Sequence, residues 1–184
     1  DMVNRAVAIE VKANPTNPKP GQDVTVTLTL INAGAGHKIP TGDPDRHFTV
    51  EFEVLDQQRR VVATQEDTMG RWIMWQPAIV ELYDNRLMPL ASRDYQFRYK
   101  LPEASKGLTL KARVRYHILT DKQHDMLITK YGLTANDPYH FTLYEREVPL
   151  NEGVASALAE EGRQPMAVSH RQQDEKSCKV PAQG

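Results

Sequence analysis

Period-two alternation constrains this chain more than any other feature. Val24, Val26, Leu28 and Leu30 interleave with Thr25, Thr27 and Thr29. Phe48, Val50, Phe52 and Val54 interleave with Thr49, Glu51 and Glu53. Tyr95, Phe97, Tyr99 and Leu101 form a third run, and Leu108, Leu110, Ala112, Val114, Tyr116 and Ile118 a fourth. Successive side chains of a strand point to opposite faces, so each run predicts one buried and one wet face. Weaker strand patterns fall at 6–13, 60–66, 79–84 and 140–149. Turn signals separate them: NPTNPKPG at 14–21, Asp56-Gln57-Gln58 in a hairpin, PEASKG at 102–107. About eight short strands with almost no helix predict an all-β chain, an immunoglobulin-like antiparallel β-sandwich with long loops.

The sandwich is expected over residues 1–150. From Asn151 the composition changes: Asn151 can N-cap a short C-terminal helix ending near Gly162, with Val154, Ala155, Leu158 and Ala159 on one face. Residues 163–184 are polar and aperiodic, and read as an extended tail that binds a partner or oligomerises, with folding back on its own sandwich edge as the alternative. Two connections look unusually long, 67–78 and 120–139. The first carries Trp72 and Trp75, whose ordinary role is to close one end of the sandwich.

Composition excludes several classes. A net charge of −1 gives no reason to expect nucleic acid. No apolar run reaches the roughly 20 residues of a membrane-spanning helix. The start at Asp1 fits a processed mature chain as well as a trimmed one, and no signal peptide is visible. The single cysteine, Cys178, rules out an internal disulfide and a CxxC zinc site. There is no CxxCH motif, so the chain attaches no c-type haem of its own by that route. Ser-His-Asp, HExxH, Walker and Rossmann signatures are also missing, which leaves no catalytic residue to name and favours a non-enzymatic role.

The connection at 33–47, AGAGHKIPTGDPDRH, holds three glycines, two prolines and two histidines. Pro40-Thr41-Gly42 predicts a tight turn, with Pro fixing φ and Gly accepting a positive φ. Gly34 and Gly36 allow a bend or a close approach. His37 lies outside any strand pattern, whereas His47 falls on the polar face of the following strand. Asp43, Asp45 and Arg46 can cap loop amides or pair with one another.

The stretch NAGAGHKIPTGDPDRHFTVEFEVLD, residues 32–56, resembles the pattern N-x-x-x-GHK-[IL]-PTG-x-P-x-R followed by a strand and an Asp-led hairpin. That pattern belongs to the β-sandwich domain of bacterial multihaem c-type cytochromes. RLMPLASRDYQFRYKLP and ARVRYHIL resemble two further strands of the same domain, and the likeness extends loosely over 5–150. The resemblance implies an accessory subunit, outside the cytoplasm in the periplasm or beyond, that packs on a multihaem cytochrome and supports electron transfer. Its cofactor would be haem c of the partner. The motif residues Gly36, His37, Lys38, Pro40, Thr41 and Gly42 would face that partner, and His37 would be a candidate axial ligand in trans; Cys178, in the polar tail, would be available for a link to a partner thiol. A hydrogen bond within its own loop is the simpler role for His37.

Two alternatives stay open at this stage. One is a copper protein or enzyme using a histidine cluster from His37, His47 and His117 or His140. The other is a carbohydrate-binding module using Trp72, Trp75 and Tyr83, which must then be exposed and coplanar.

Overall fold

The computed structural model describes residues 2–103, 107–132 and 138–150. In chain order its elements are α1 (Met2–Ala6), β1 (Val7–Asn14), β2 (Asp23–Asn32), β3 (His47–Leu55), β4 (Val61–Met69), β5 (Arg71–Met74), β6 (Val80–Asp84), β7 (Ser92–Lys100), β8 (Thr109–His117), α2 (Asp121–Tyr131) and β9 (His140–Pro149). The short C-terminal helix, the tail and Cys178 lie outside the described residues.

The strands form a three-stranded sheet β1-β2-β7, a four-stranded sheet β4-β3-β8-β9 and a separate two-stranded hairpin β5-β6. All named strand pairs are antiparallel. The two larger sheets pack face to face, giving the expected all-β sandwich of immunoglobulin-like type.

Alternation places the core as expected. Val24, Val26, Leu28 and Leu30 of β2 are buried, as are Phe48, Val50, Phe52 and Val54 of β3 and Leu110, Ala112 and Val114 of β8. Phe52 and Phe97 stack across the two sheets with centroids 5.5 Å apart. Burying one such side chain is worth about 1.5–3 kcal/mol, so these positions hold the sandwich together.

The structure corrects four expectations. Residues 67–78 are not one long loop: β4 runs to Met69 and β5 opens at Arg71. The connection at 120–139 contains α2, an 11-residue helix. Thr120 and Gln123 form a capping box at its start, and Gly132 ends it at φ +62°. Trp72 and Trp75 do not close the sandwich; they are 40% and 57% exposed on the β5–β6 hairpin. Finally, β3 has no wet face, because Thr49 and Glu51 are buried on the side away from the core.

Candidate functional site

The 33–47 connection is pinned at several points. Asn32, fully buried at the end of β2, donates from Nδ2 to the His37 carbonyl at 2.8 Å and to the Leu87 carbonyl at 3.3 Å. Its Oδ1 accepts from the Ala35 amide at 3.2 Å. The amides of Ala33 and Gly34 donate to the Ala6 carbonyl. At Gly34 the chain passes so close to Arg5 that a Cβ would collide with the Arg5 carbonyl. Ile39 and Leu87 exchange backbone hydrogen bonds of 2.9 and 3.0 Å, and both side chains are buried.

Lys38 pairs with Asp84 of β6 at 2.8 Å. Arg86 also binds Asp84, through Nε and Nη2, both at 2.8 Å. These partners, Arg86 first and Lys38 after it, hold the Asp84 carboxyl far below the usual carboxylate range against the opposing effect of burial. Pro40 is buried and therefore shapes the loop from inside. Gly42 adopts φ +93°, and Arg46 packs so tightly against it that a Cβ would lie 2.7 Å from Arg46 Nη1. Thr41 is exposed, and its carbonyl accepts from Arg46 Nη1 at 3.3 Å. Gly36 is exposed with open space where a side chain would sit, so no close approach requires it.

Between these pins His37 faces outward. Its Nδ1 lies 3.1 Å from the Lys38 carbonyl. A carbonyl only accepts, so in the neutral ring the proton sits on Nδ1 and Nε2 carries a bare lone pair. The expected loop hydrogen bond is therefore present, and it orients the ring in the tautomer that ligating histidines use. His37 borders a groove of about 450 Å³ lined by Val3, Ala35, Ile39, Phe48 and Tyr116, with Arg5 and Arg46 at its polar positions.

A second recess, of about 300 Å³, lies where the end of the same loop meets the hairpin; Pro44, His47, Arg71, Trp72, Trp75 and Thr120 line it. His47 Nδ1 is 2.8 Å from the Asp45 carbonyl, which again leaves Nε2 as the acceptor. Cross-strand register brings His47, His117 and His140 into one row over β3, β8 and β9. The rings of His47 and His117 stack at 4.4 Å and 7°, and those of His117 and His140 lie 5.6 Å apart. Tyr139 stacks on His140, and His124 of α2 stacks on Tyr139 at 3.9 Å.

This row is not a metal cage. The first two rings lie face to face, which does not aim their nitrogens at a common point, and His37 stands apart on the loop. Among the described residues no group of three His, Cys, Asp or Glu is placed to hold a metal ion. His117 instead serves a buried polar chain. Its Nε2–H donates to Thr49 Oγ1 at 3.0 Å, Thr49 donates to Glu51 Oε1 at 3.1 Å, and Arg113 and Arg115 clamp the Glu51 carboxylate. Burial alone would raise the Glu51 carboxyl, but hydrogen bonds from Arg115 and Arg113 reverse this and hold it below its ordinary range. Burial, then the neighbouring His47 and Arg115, push His117 down to about 4.

The hairpin is the most apolar exposed element of the described chain. Register pairs Trp72 with Tyr83 and Met74 with Val80 on one face, and the opposite face carries the Arg71–Glu81 ion pair. Trp72, Met74, Trp75, Ile79, Val80, Leu82 and Tyr83 are each 36–72% exposed. The planes of Trp72 and Tyr83 are tilted by 43°, so the coplanar platform that sugar stacking requires is not formed by this pair.

Sequence reasoning missed Asn32, the Thr49–His117–Glu51 chain and Asp84. Asn32 opens the motif pattern, which was the available signal; the others depend on register and on a contact between distant segments.

No protein-family model matches the chain, and no curated protein matches it either. The fold is similar to part of a solved penta-haem cytochrome c552 from Thermochromatium tepidum, with a TM-score of 0.58 and 18% identity over 80% of this chain. The chain spans 40% of the length of that cytochrome. The CARDB domain of a Pyrococcus furiosus protein, solved with two metal ions, overlaps 59% of this chain and 67% of its own at 13% identity, with a TM-score of 0.34. At 18% identity the likeness to the cytochrome concerns fold alone. No helix among the described residues is long and apolar enough to cross a membrane.

Proposed function

We propose that this domain is a non-catalytic accessory of a multihaem c-type cytochrome, working outside the cytoplasm, and that His37 supplies an axial ligand to a haem of that partner. The observation that carries the reading is the state of His37: exposed, on a loop fixed by Asn32 and the Ile39–Leu87 bridge, with Nδ1 engaged and Nε2 bare. Holding a ligand in place before binding reduces the ordering cost of association. The GHKIPTG stretch and the fold shared with the penta-haem cytochrome point to the same partner class.

The residues present suit such a haem. The groove beside His37 is mainly apolar, as a porphyrin edge requires, and Arg5 and Arg46 bring cationic side chains to it. The haem iron supplies the redox chemistry, while the chain contributes a neutral imidazole, a shaped apolar wall and positive charge.

Titration with a haem c undecapeptide, which carries one open axial position, tests the ligand role. The wild-type chain should convert the peptide's Soret spectrum to the six-coordinate form, and His37→Ala should abolish that change. An identical response from His37→Ala would retire the ligand assignment.

A further inference from the structure

We infer that the apolar β5–β6 hairpin is the main adhesive contact by which this domain docks onto the protein bearing the haem that His37 faces. The inference rests on the proposed cytochrome association and adds to it the surface that carries the binding.

Three observations lead there. The first is the hairpin's isolation. A two-stranded hairpin is marginal by itself in water, and β5–β6 joins neither larger sheet. From Trp72 to Val80 it carries no charged residue, yet its large side chains remain exposed. Soluble proteins seldom leave a contiguous apolar area of this kind open unless something binds there.

The second observation is size and composition. The seven exposed apolar side chains present on the order of 700 Å², close to the roughly 800 Å² each partner gives to a standard interface. Two are tryptophan and one is tyrosine, the residue types that dominate interface energetics. The other face is closed by ion pairs of Arg71 with Glu81 and of Asp84 with Arg86, so one side of the hairpin is sticky and the other is not.

The third observation identifies the occupant by continuity. The hairpin base and the His37 loop are one structural unit. Lys38 binds Asp84, Ile39 pairs with Leu87 just after β6, and Arg71 Nη2 reaches the Gly42 carbonyl at 3.5 Å. Loop residues Pro44 and His47 share a recess with Trp72 and Trp75. A protein whose haem meets His37 therefore lies beside the hairpin. A single imidazole–iron bond gives little area, and the hairpin gives the area that the loop does not.

Photocrosslinking tests this in the full chain expressed in its source cells. Replacing the 72%-exposed Ile79 with p-benzoylphenylalanine should give, on irradiation, a product that stains for covalent haem. In parallel, the double variant Trp75→Ser with Ile79→Ser should lower the haem recovered per mole of tagged chain by about tenfold or more. Both side chains are exposed, so this variant should melt as the wild type does. Full haem recovery by the double variant would overturn the docking role while leaving the His37 reading standing. Absence of haem from the wild-type preparation would refute the docking role together with the cytochrome association it rests on, whereas the undecapeptide titration decides the ligand capacity of His37 by itself. A crosslink to a second copy, to residues 151–184 of the same chain or to lipid would overturn the inference, as would no crosslink at all.

Discussion

Acid should destabilise this domain well above the pH at which carboxylates protonate, and His117 should be the cause. His117 is 4% exposed and donates from Nε2 to Thr49, while its Nδ1 is buried without a hydrogen-bond partner. Protonation would place a cation against His47 and Arg115 in a site removed from water, which is why the folded ring holds its proton only near pH 4, against 6.5 for an ordinary imidazole. The sign follows directly. Above pH 6.5 both folded and unfolded chains keep the ring neutral, and its contribution is constant. Between 6.5 and 4 the unfolded chain binds a proton that the folded chain refuses, so stability falls as pH falls; below 4 both are protonated and the loss is complete.

Each pKa unit is 1.36 kcal/mol, so the full loss is on the order of 3 kcal/mol, with about 2 kcal/mol gone by pH 5. That is a large share of the 5–15 kcal/mol typical of a domain. Urea unfolding at pH 7.5, 6.5, 5.5 and 5.0 measures it. His117→Gln keeps an amide donor for Thr49 but cannot titrate, so its stability should be lower at pH 7.5 yet much flatter across this range. Parallel curves for wild type and His117→Gln would show that another group carries the pH dependence and that the buried-imidazole argument is wrong.

Further outcomes follow from the same geometry. Val26→Asp places a carboxylate in the sandwich core and should abolish folding, whereas Thr27→Asp, on the half-exposed face of β2, should lower the melting temperature only slightly; comparable losses by circular dichroism would contradict the face assignment. Asp84→Asn removes the charge shared by Lys38 and Arg86 and should cost about 1–3 kcal/mol in chemical denaturation, with the wild-type advantage disappearing only at pH values below the ordinary aspartate range. Deleting residues 163–184 should leave the melting temperature of the sandwich unchanged but weaken recovery with a partner; a markedly lower melting temperature with unchanged recovery would place the tail on its own domain.

The sequence made the core legible because period-two alternation determines which side of a strand is apolar, and β2, β3, β7 and β8 followed it. The outer face of β3 was not legible by the same means. Thr49 and Glu51 read as solvent-facing residues, and only the β3–β8 register, which joins positions more than 60 apart, sets Arg113, Arg115 and His117 over them. The stems of two arginines then cover a carboxylate that local pattern assigns to water. Helix α2 carried a local signal in Thr120, Gln123 and Gly132, but the apolar spacing that usually announces a helix was weak, since none of its residues is buried. The tryptophans were misassigned for a different reason. Burial rules treat large aromatic residues as core, and nothing in the local pattern distinguishes a tryptophan on an exposed hairpin from one that closes a sandwich.

The polar rows on the four-stranded sheet also bear on the proposed docking surface. Glu51 meets Arg113 and Arg115, Lys111 meets Glu145 and Glu147, and Arg59 meets Glu147. These charges pair with one another across the strands, so much of this face is already neutralised within the sheet. Asp84 joins the His37 loop to the apolar hairpin by accepting from Lys38 on one side and Arg86 on the other. The Asp84 side chain is only 8% exposed, and moving the loop away from the hairpin would leave its charge without one of its two partners. Loop and hairpin therefore hold a fixed spacing, which is the preorganisation that the proposed haem contact and the proposed docking surface would need.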